Sequence, residues 1–363
     1  MISLREKPFY NYYVQEPMTE FWKLHKSANQ NVLFICGLGF DPRCIPALRA
    51  MVGVIDKNSS FTTLCARFTN SMDSNFAYNY EGTLECLDMI REAADSVING
   101  YRHEIEVNLF DIDEQQIGDA MLIREFDEAV GSMLWRYTDI IVDVSAFPRS
   151  MMYTLIGHLW KLRNVGQNLF AVLTQTPERG GATTKIFVDT CYVQGDKRYR
   201  RKGDQIWVPI IDEEIERMDA IYDFLRPVEV FPLVPFPDRD LRRGDFLLTQ
   251  CRDTIFGKWQ VPFENIMYAS GSVPWDVFRK LSDFAELHAS TKPTTTLVIS
   301  ALAGRAISIG ALVAALQHNL FICHIQPAEY NMSYEMRTKI FHECENVEPT
   351  LYWLAGCLYD DIS

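Results

Sequence analysis

The sequence predicts an α/β protein with two related Rossmann-like lobes and mostly parallel sheets, arising from an internal duplication. Three observations carry that expectation. Short apolar runs alternate with amphipathic segments of helix length, which implies parallel βαβ crossovers. The apolar run Asn31-Val-Leu-Phe-Ile-Cys36 leads straight into Gly37-Leu-Gly-Phe-Asp-Pro-Arg43 and a helix-like stretch, the opening unit of such a sheet. Finally, Asn168-Leu-Phe-Ala-Val-Leu-Thr-Gln-Thr-Pro-Glu178 lies without a gap beside Asn319-Leu-Phe-Ile-Cys-His-Ile-Gln-Pro-Ala-Glu329, with Asn, Leu, Phe, Gln and Glu matched in place.

Taken in order, the pattern predicts a short helix over 19–26, a strand over 31–36, and a helix opened by Pro42, whose missing N–H is no loss in a first turn. A strand over 61–68, a helix over 82–98, a strand over 105–112 and a long helix over 114–135 follow. Strands over 139–145 and 168–173 flank a helix from Pro148. From 179 to 262 the alternation weakens, although 206–211 and 228–234 read as strands. It resumes with strands over 265–270, 295–300 and 320–325 and helices over 274–287 and 305–316, and 351–358 is an apolar helix or strand. The expected domains are a Rossmann-like lobe over 1–185, a less regular connecting segment over 186–262 that contributes strands and basic loops, and a Rossmann-like lobe over 263–363.

The echo extends upstream. Val144-Ser-Ala-Phe-Pro-Arg149 parallels Ile299-Ser-Ala-Leu-Ala-Gly-Arg305 with one residue inserted, and 32–42 parallels 266–274. Residues 139–178 and 294–329 are therefore expected to superpose, Ser145 over Ser300 and Arg149 near Arg305. The spacing from Gly37 to Ser145 is much longer than that from Gly271 to Ser300, so the second half has lost units or draws strands from 186–260.

Composition narrows the function classes. Hydrophobic residues make up 48% and charged residues 23% of the 363, an ordinary globular balance. A net charge of −13 argues against broad nucleic-acid binding, which needs clustered cations, but leaves room for a local anion site. The nine cysteines form no CxxC pair and sit partly in apolar runs, so they read as reduced core thiols rather than a disulfide or zinc framework. Seven histidines show no metal-ligand spacing, and no apolar stretch approaches about 18 residues, so neither a metal nor a membrane span is expected. With no secretory signal at the start, the expected compartment is the cytoplasm.

The matched polar residues all fall where a strand ends and a helix begins, the place where open α/β sheets bind ligands. Gly37, Gly39 and Gly271 would let a ligand approach the backbone. Ser145 and Ser300 offer hydroxyls, and Arg149 and Arg305 a planar donor fork for phosphate. Helix capping is the competing role for either serine. Asp41 and Arg43 would orient a ribose or phosphate, or pair with each other to hold a turn. Asp143, inside an apolar strand, and Asp41 are the candidate acid/base groups, with a structural hydrogen-bond role open for Asp143. No third dinucleotide glycine, no P-loop and no GxSxG elbow is present. The basic stretches 197–202 and 239–243, the latter holding Arg239, Arg242 and Arg243, read as solvated loops or as contacts for a protein partner or anion.

On the residues Gly37 to Arg43 with Ser145 to Arg149, and Gly271 to Pro274 with Ser300 to Arg305, the chain resembles the CRISPR-associated Rossmann-fold family and its fused two-lobed SAVED relatives in bacterial antiphage signalling. The resemblance implies binding of a cyclic or linear oligonucleotide messenger across two lobes. It does not extend to 186–260, and the Gly-Gly-Thr-Lys type of turn common in that family is absent. The leading expectation is a nucleotide- or phosphate-ligand-binding protein without a resident cofactor, a sensor or partner subunit of a defence system. The alternatives are an enzyme acting on a nucleotide or sugar phosphate and a non-catalytic scaffold.

Overall fold

The computed structural model describes residues 15–25, 30–39, 41–69, 76–97, 100–109, 117–176, 181–182, 186–192, 203–238, 240–327, 330–357 and 359. The basic run 197–202 and Arg239 lie outside the described residues. The chain divides into two compact units, Met1–Lys185 with Pro327–Ser363, and Ile186–Gln326.

The first unit begins with β1 (Gln15–Pro17) and α1 (Met18–His25). It then alternates through β2 (Asn31–Leu38), α2 (Pro46–Val54), β3 (Ser60–Thr69), α3 (Phe76–Asp95), β4 (Gly100–Asn108), α4 (Gly118–Ala129), β5 (Asp139–Asp143), α5 (Arg149–Leu162) and β6 (Asn168–Leu173). Strands β2 to β6 are mutually parallel in the order β4-β3-β2-β5-β6. Every residue of β5 and β6 is buried, as expected of strands covered by helices on both faces. A short strand β7 (Gly181–Ala182) follows.

The second unit holds β8 (Ile186–Tyr192), β9 (Gln205–Ile210), α6 (Ile215–Leu225), β10 (Glu229–Val230), β11 (Leu233–Pro235), α7 (Arg243–Gln250), β12 (Met267–Ala269), α8 (Pro274–Thr291), β13 (Thr296–Ala301), α9 (Arg305–His318) and β14 (Phe321–Pro327). Its sheet runs β12-β11-β9-β13-β14-β8, with β10 added on β9. Numbered by appearance, β9, β11, β12, β13 and β14 stand in the order 3-2-1-4-5, and so do β2 to β6 of the first unit. Eleven residues of α9 are buried, and a Cβ at Gly310 would lie 2.8 Å from the Pro274 carbonyl carbon, so α9 meets the start of α8 at backbone distance.

The chain then returns to the first unit. β15 (Tyr330–Asn331) pairs antiparallel with β7, α10 (Tyr334–Cys344) follows, and β16 (Thr350–Ala355) adds antiparallel to β6, with β1 on its other edge. The second unit is thus an insertion between β7 and β15. The place beside strand 5 is filled by the last strand of the chain in one sheet and by the first strand of the insertion in the other.

This corrects three expectations. Residues 186–262 contribute strands, as expected, but they are not a segment separate from the second lobe, because β9 is the central, wholly buried strand of its sheet. Residues 327–363 do not belong with the lobe begun at 263, because β16 satisfies the open hydrogen-bonding edge of β6. The helix expected over 114–135 ends at Ala129, and a 3-10 helix spans Gly131–Arg136.

The echoed segments do form strand, helix and parallel strand, and α5 and α9 are each 14 residues long and begin at Arg149 and Arg305. Their register, however, pairs Ile141 with Phe170 and Val298 with Phe321. Matching Phe170 to Phe321 therefore sets Asp143 against Ser300 and Ser145 against Leu302. The Ser-Ala likeness is offset by two residues, a shift that keeps every side chain on its own face of the sheet.

Candidate functional site

In a 3-2-1-4-5 sheet the ligand crevice opens between strands 1 and 4, where the following helices leave for opposite faces. That is between β2 and β5 in the first unit and between β9 and β13 in the second.

In the first unit the crevice is filled from within. Phe147, on the loop after β5, is fully buried and lies on Gly37: a Cβ there would sit 2.8 Å from the ring and 3.2 Å from the Phe147 Cα. Phe68 meets the same ring edge-on, with centroids 5.2 Å apart. Gly37 therefore makes room for a phenyl ring, not a ligand. Ser145 donates its N–H to Asp143 Oδ1 at 2.9 Å, and its hydroxyl also donates to that oxygen. The Ser145 hydroxyl accepts from Thr174 N at 2.8 Å. Both Asp143 and Ser145 are 1% exposed, so the pair fastens the β5 and β6 ends together instead of facing substrate. Ser145 is not the helix cap either: Pro148 precedes α5, with no capping side chain.

Asp41 and Arg43 engage each other. The guanidinium reaches Asp41 Oδ2 at 2.6 Å and Oδ1 at 2.9 Å, and Asp41 Oδ1 also accepts the Arg43 N–H. Burial works against the Arg43 charge, but the Asp41 carboxylate outweighs it and raises the pKa. The 3-10 helix Pro42–Cys44 packs against α10, which gives the Asp41–Arg43 turn a structural task. Gly39 meets nothing within 4 Å, and Arg149 is half-buried at the start of α5.

The second unit differs at each of these places. Ser300, 1% exposed, accepts a 2.9 Å hydrogen bond from Trp207 Nε1 and so serves a buried indole. Gly271 makes room for a carboxylate, since a Cβ there would lie 2.6 Å from Asp238 Cγ. Asp238 follows β11, and Asp212 follows β9. Arg243 at the start of α7 reaches Asp212 at 3.1 Å, Asp238 at 3.4 Å and Glu213 at 3.4 Å. Ser270 Oγ accepts from Ser272 N and Val273 N, and Asp276 accepts from Ser270 N, which closes the turn into α8. Before α9 stand Ala303 and Gly304, in place of Phe147 and Pro148. Gly304 is exposed, a Cβ there would meet nothing within 4 Å, and no side chain caps the helix. Arg305 is half-buried in the first turn.

The predicted residues are thus not assembled as one site. Gly37, Asp143 and Ser145 belong to a closed crevice, Asp41 and Arg43 to a turn, and Ser300 to a core hydrogen bond. Gly271 and Arg305 lie at the strand ends of the second unit, with Arg243 from the basic stretch. Sequence reasoning missed Asp212 and Asp238. Their signal is an acid directly behind an apolar strand, Trp207-Val-Pro-Ile-Ile-Asp212 and Leu233-Val-Pro-Phe-Pro-Asp238.

Among the described residues no cluster of three or more His, Cys, Asp or Glu is arranged to hold a metal, and no helix is long and apolar enough to cross a membrane. Six cysteines, Cys36, Cys44, Cys65, Cys86, Cys251 and Cys323, are buried free thiols. Cys344 is half-buried and Cys357 exposed. Burial pushes the Cys251 thiol up to about 11.

Neither a protein-family model nor a curated protein matches the chain. Two of the solved structures that share a faint likeness with the chain are methyltransferases by name. One is a Bacillus halodurans C-125 protein assigned as a methyltransferase, at 10% identity and a TM-score of 0.22 over 44% of this chain and 52% of that one. The other is a coclaurine N-methyltransferase bound to N-methylheliamine and SAH, at 9% identity and a TM-score of 0.24 over 93% of this chain and 69% of that one. The matched region spans about half the length of the first.

Proposed function

We propose that the chain binds a nucleotide-type small molecule at the strand ends of its second unit. The observation that carries this is Gly304, exposed and unobstructed where the first unit has its buried Pro148, next to an Ala303 that stands in place of the Phe147 ring. The uncapped first turn of α9 offers backbone N–H groups and the positive end of the helix dipole to a phosphate. Asp212 and Asp238 stand at the ends of strands 1 and 2, where carboxylates accept from sugar hydroxyls. Three carboxylates surround the single guanidinium of Arg243, so this part of the edge suits hydroxyl donors better than a second phosphate.

Calorimetry against mono-, di- and cyclic nucleotides tests the reading. Wild-type protein is expected to bind about one ligand per chain. Gly304→Val and Arg305→Ala should each weaken binding about tenfold or more, since a charge-assisted contact is worth about 1.5–3 kcal/mol. Unchanged affinity in both variants overturns it.

A second reading, an enzyme acting on such a ligand, rests on Asp212, a carboxylate 7% exposed at the end of β9, beside the proposed crevice. Asp212→Asn would then abolish turnover, followed by mass spectrometry, while leaving binding in place. The antiphage sensor role implied by the resemblance would add to ligand binding a partner that reads the ligand; the strand order of the two units is common to many Rossmann-like proteins and does not bear on it.

A further inference from the structure

We infer that Phe236 and Tyr268 form the platform on which the heterocyclic base of that ligand lies. This rests on the nucleotide reading above and adds to it a recognised chemical group. Phe236 follows β11 directly and stands two residues before Asp238. Tyr268 lies on β12, the edge strand of the sheet. Their rings meet edge to face, with centroids 6.3 Å apart and planes at 79°. The Phe236 N–H donates to Ala269 O at 2.7 Å, which ties the loop after β11 to β12.

Large aromatic side chains are usually buried, yet these two are 45% and 47% exposed. Neither belongs to the apolar core built around Trp207, Trp259 and Val298. Gly271, three residues beyond Tyr268, receives the Asp238 carboxylate. A sugar hydrogen-bonded to Asp238 therefore places its base beside the aromatic pair.

Sheet order supports the same assignment. Reading across β12-β11-β9-β13, the strand ends present the aromatic pair, then Asp238, then Asp212, then the open start of α9. With strands about 4.8 Å apart this path covers about 14 Å. Its chemistry runs apolar, hydroxyl-accepting and phosphate-accepting, the order of base, sugar and phosphate in a nucleotide. A neutral flat base also suits an edge whose carboxylates would repel an anion. Stacking against an aromatic side chain tolerates any base, so the platform recognises the presence of a base more than its identity.

The test compares adenosine, guanosine, cytidine and uridine 5′-monophosphates with ribose 5-phosphate, which lacks the base, by calorimetry on the full chain. Wild-type protein should bind at least one of the nucleotides about tenfold or more tighter than ribose 5-phosphate. Phe236→Ala with Tyr268→Ala should bring the nucleotide down to the ribose 5-phosphate level while leaving ribose 5-phosphate itself unchanged. If the alanine pair fails to fold, Phe236→Leu with Tyr268→Leu keeps the apolar bulk and removes the stacking faces. Equal binding of nucleotide and ribose 5-phosphate by wild-type protein, or a preference retained in both double variants, overturns the platform but leaves the nucleotide reading intact. If none of the five compounds binds, the platform falls, and the nucleotide reading falls with it when the di- and cyclic nucleotides also fail to bind.

Discussion

The two units share one strand order but fill their strand ends differently. Each has a glycine at a strand end where the missing side chain is filled by a neighbour. In the first unit the guest at Gly37 is the Phe147 ring; in the second the guest at Gly271 is the Asp238 carboxylate. The loops into the fourth helices differ in the same sense, Phe147-Pro148 against Ala303-Gly304. A 3-2-1-4-5 sheet creates a crevice between strands 1 and 4; Phe147 fills it in the first unit, and the loop before α9 carries no such ring in the second. The sharpest way to break this comparison is Phe147→Ala. Loss of a fully buried ring should cost about 3–5 kcal/mol, read as a lower denaturation midpoint, while ligand affinity in the second unit stays at the wild-type value. A change in affinity of the same size as the stability loss would show that the first unit is not merely a closed core.

The serines should break next. Ser300→Ala removes the acceptor of the Trp207 N–H and leaves a buried donor unsatisfied, a loss of about 1–3 kcal/mol. Ser145→Ala takes away the hydroxyl that links Asp143 to Thr174 and should cost a similar amount. Neither should alter nucleotide binding, and thermal melts run beside calorimetry separate the two quantities. A serine that lost affinity and kept stability would return to the ligand site.

An acid-stability measurement distinguishes the units in another way. In the first, burial opposes ionisation of Asp139, but hydrogen bonds from His25 at 2.8 Å, from Thr138 and from Asn168 outweigh it and hold the pKa below the ordinary value. A depressed carboxylate contributes its full stabilisation above the unfolded pKa, about 3.9, and loses it as the pH falls through the folded value. Asp139→Asn should therefore lower stability near neutrality and flatten the pH dependence of stability below about pH 4. Acid titrations as steep in the variant as in wild-type protein would remove Asp139 from the account.

What the chain displays of its fold follows from where burial is two-sided. β2, β5, β6, β9 and β13 are buried along nearly all their length and stand out as apolar runs. The strands β10 and β11, two and three residues long, are too short to show a period, and this weakens the alternation over 186–262 even though 228–234 reads as a strand. The return of β16 to β6 is a long-range pairing with no local signature. The candidate site was legible only as a location. Glycines at strand ends can be read directly, whereas the side chain that fills each one comes from another loop. Arg243 was visible as a charge, but its partners Asp212 and Asp238 lie behind different strands and meet only in the folded unit.

The smallest expected effect on stability is also the most discriminating. Gly304 has φ −48, a backbone conformation open to any residue, and a Cβ there meets nothing within 4 Å. Gly304→Ala should therefore leave stability unchanged or raise it by about 0.4–1 kcal/mol, because the unfolded chain loses freedom that the folded one never used. Ligand binding should respond in the opposite direction, since the added methyl group stands at the mouth of the α9 first turn. Gly37→Ala is the paired control. Its Cβ would press on the Phe147 ring and backbone and should cost about 1–3 kcal/mol while leaving affinity alone. If Gly304→Ala proved as destabilising as Gly37→Ala, the second crevice would be packed like the first, and the open start of α9 would lose its claim to be where a phosphate binds.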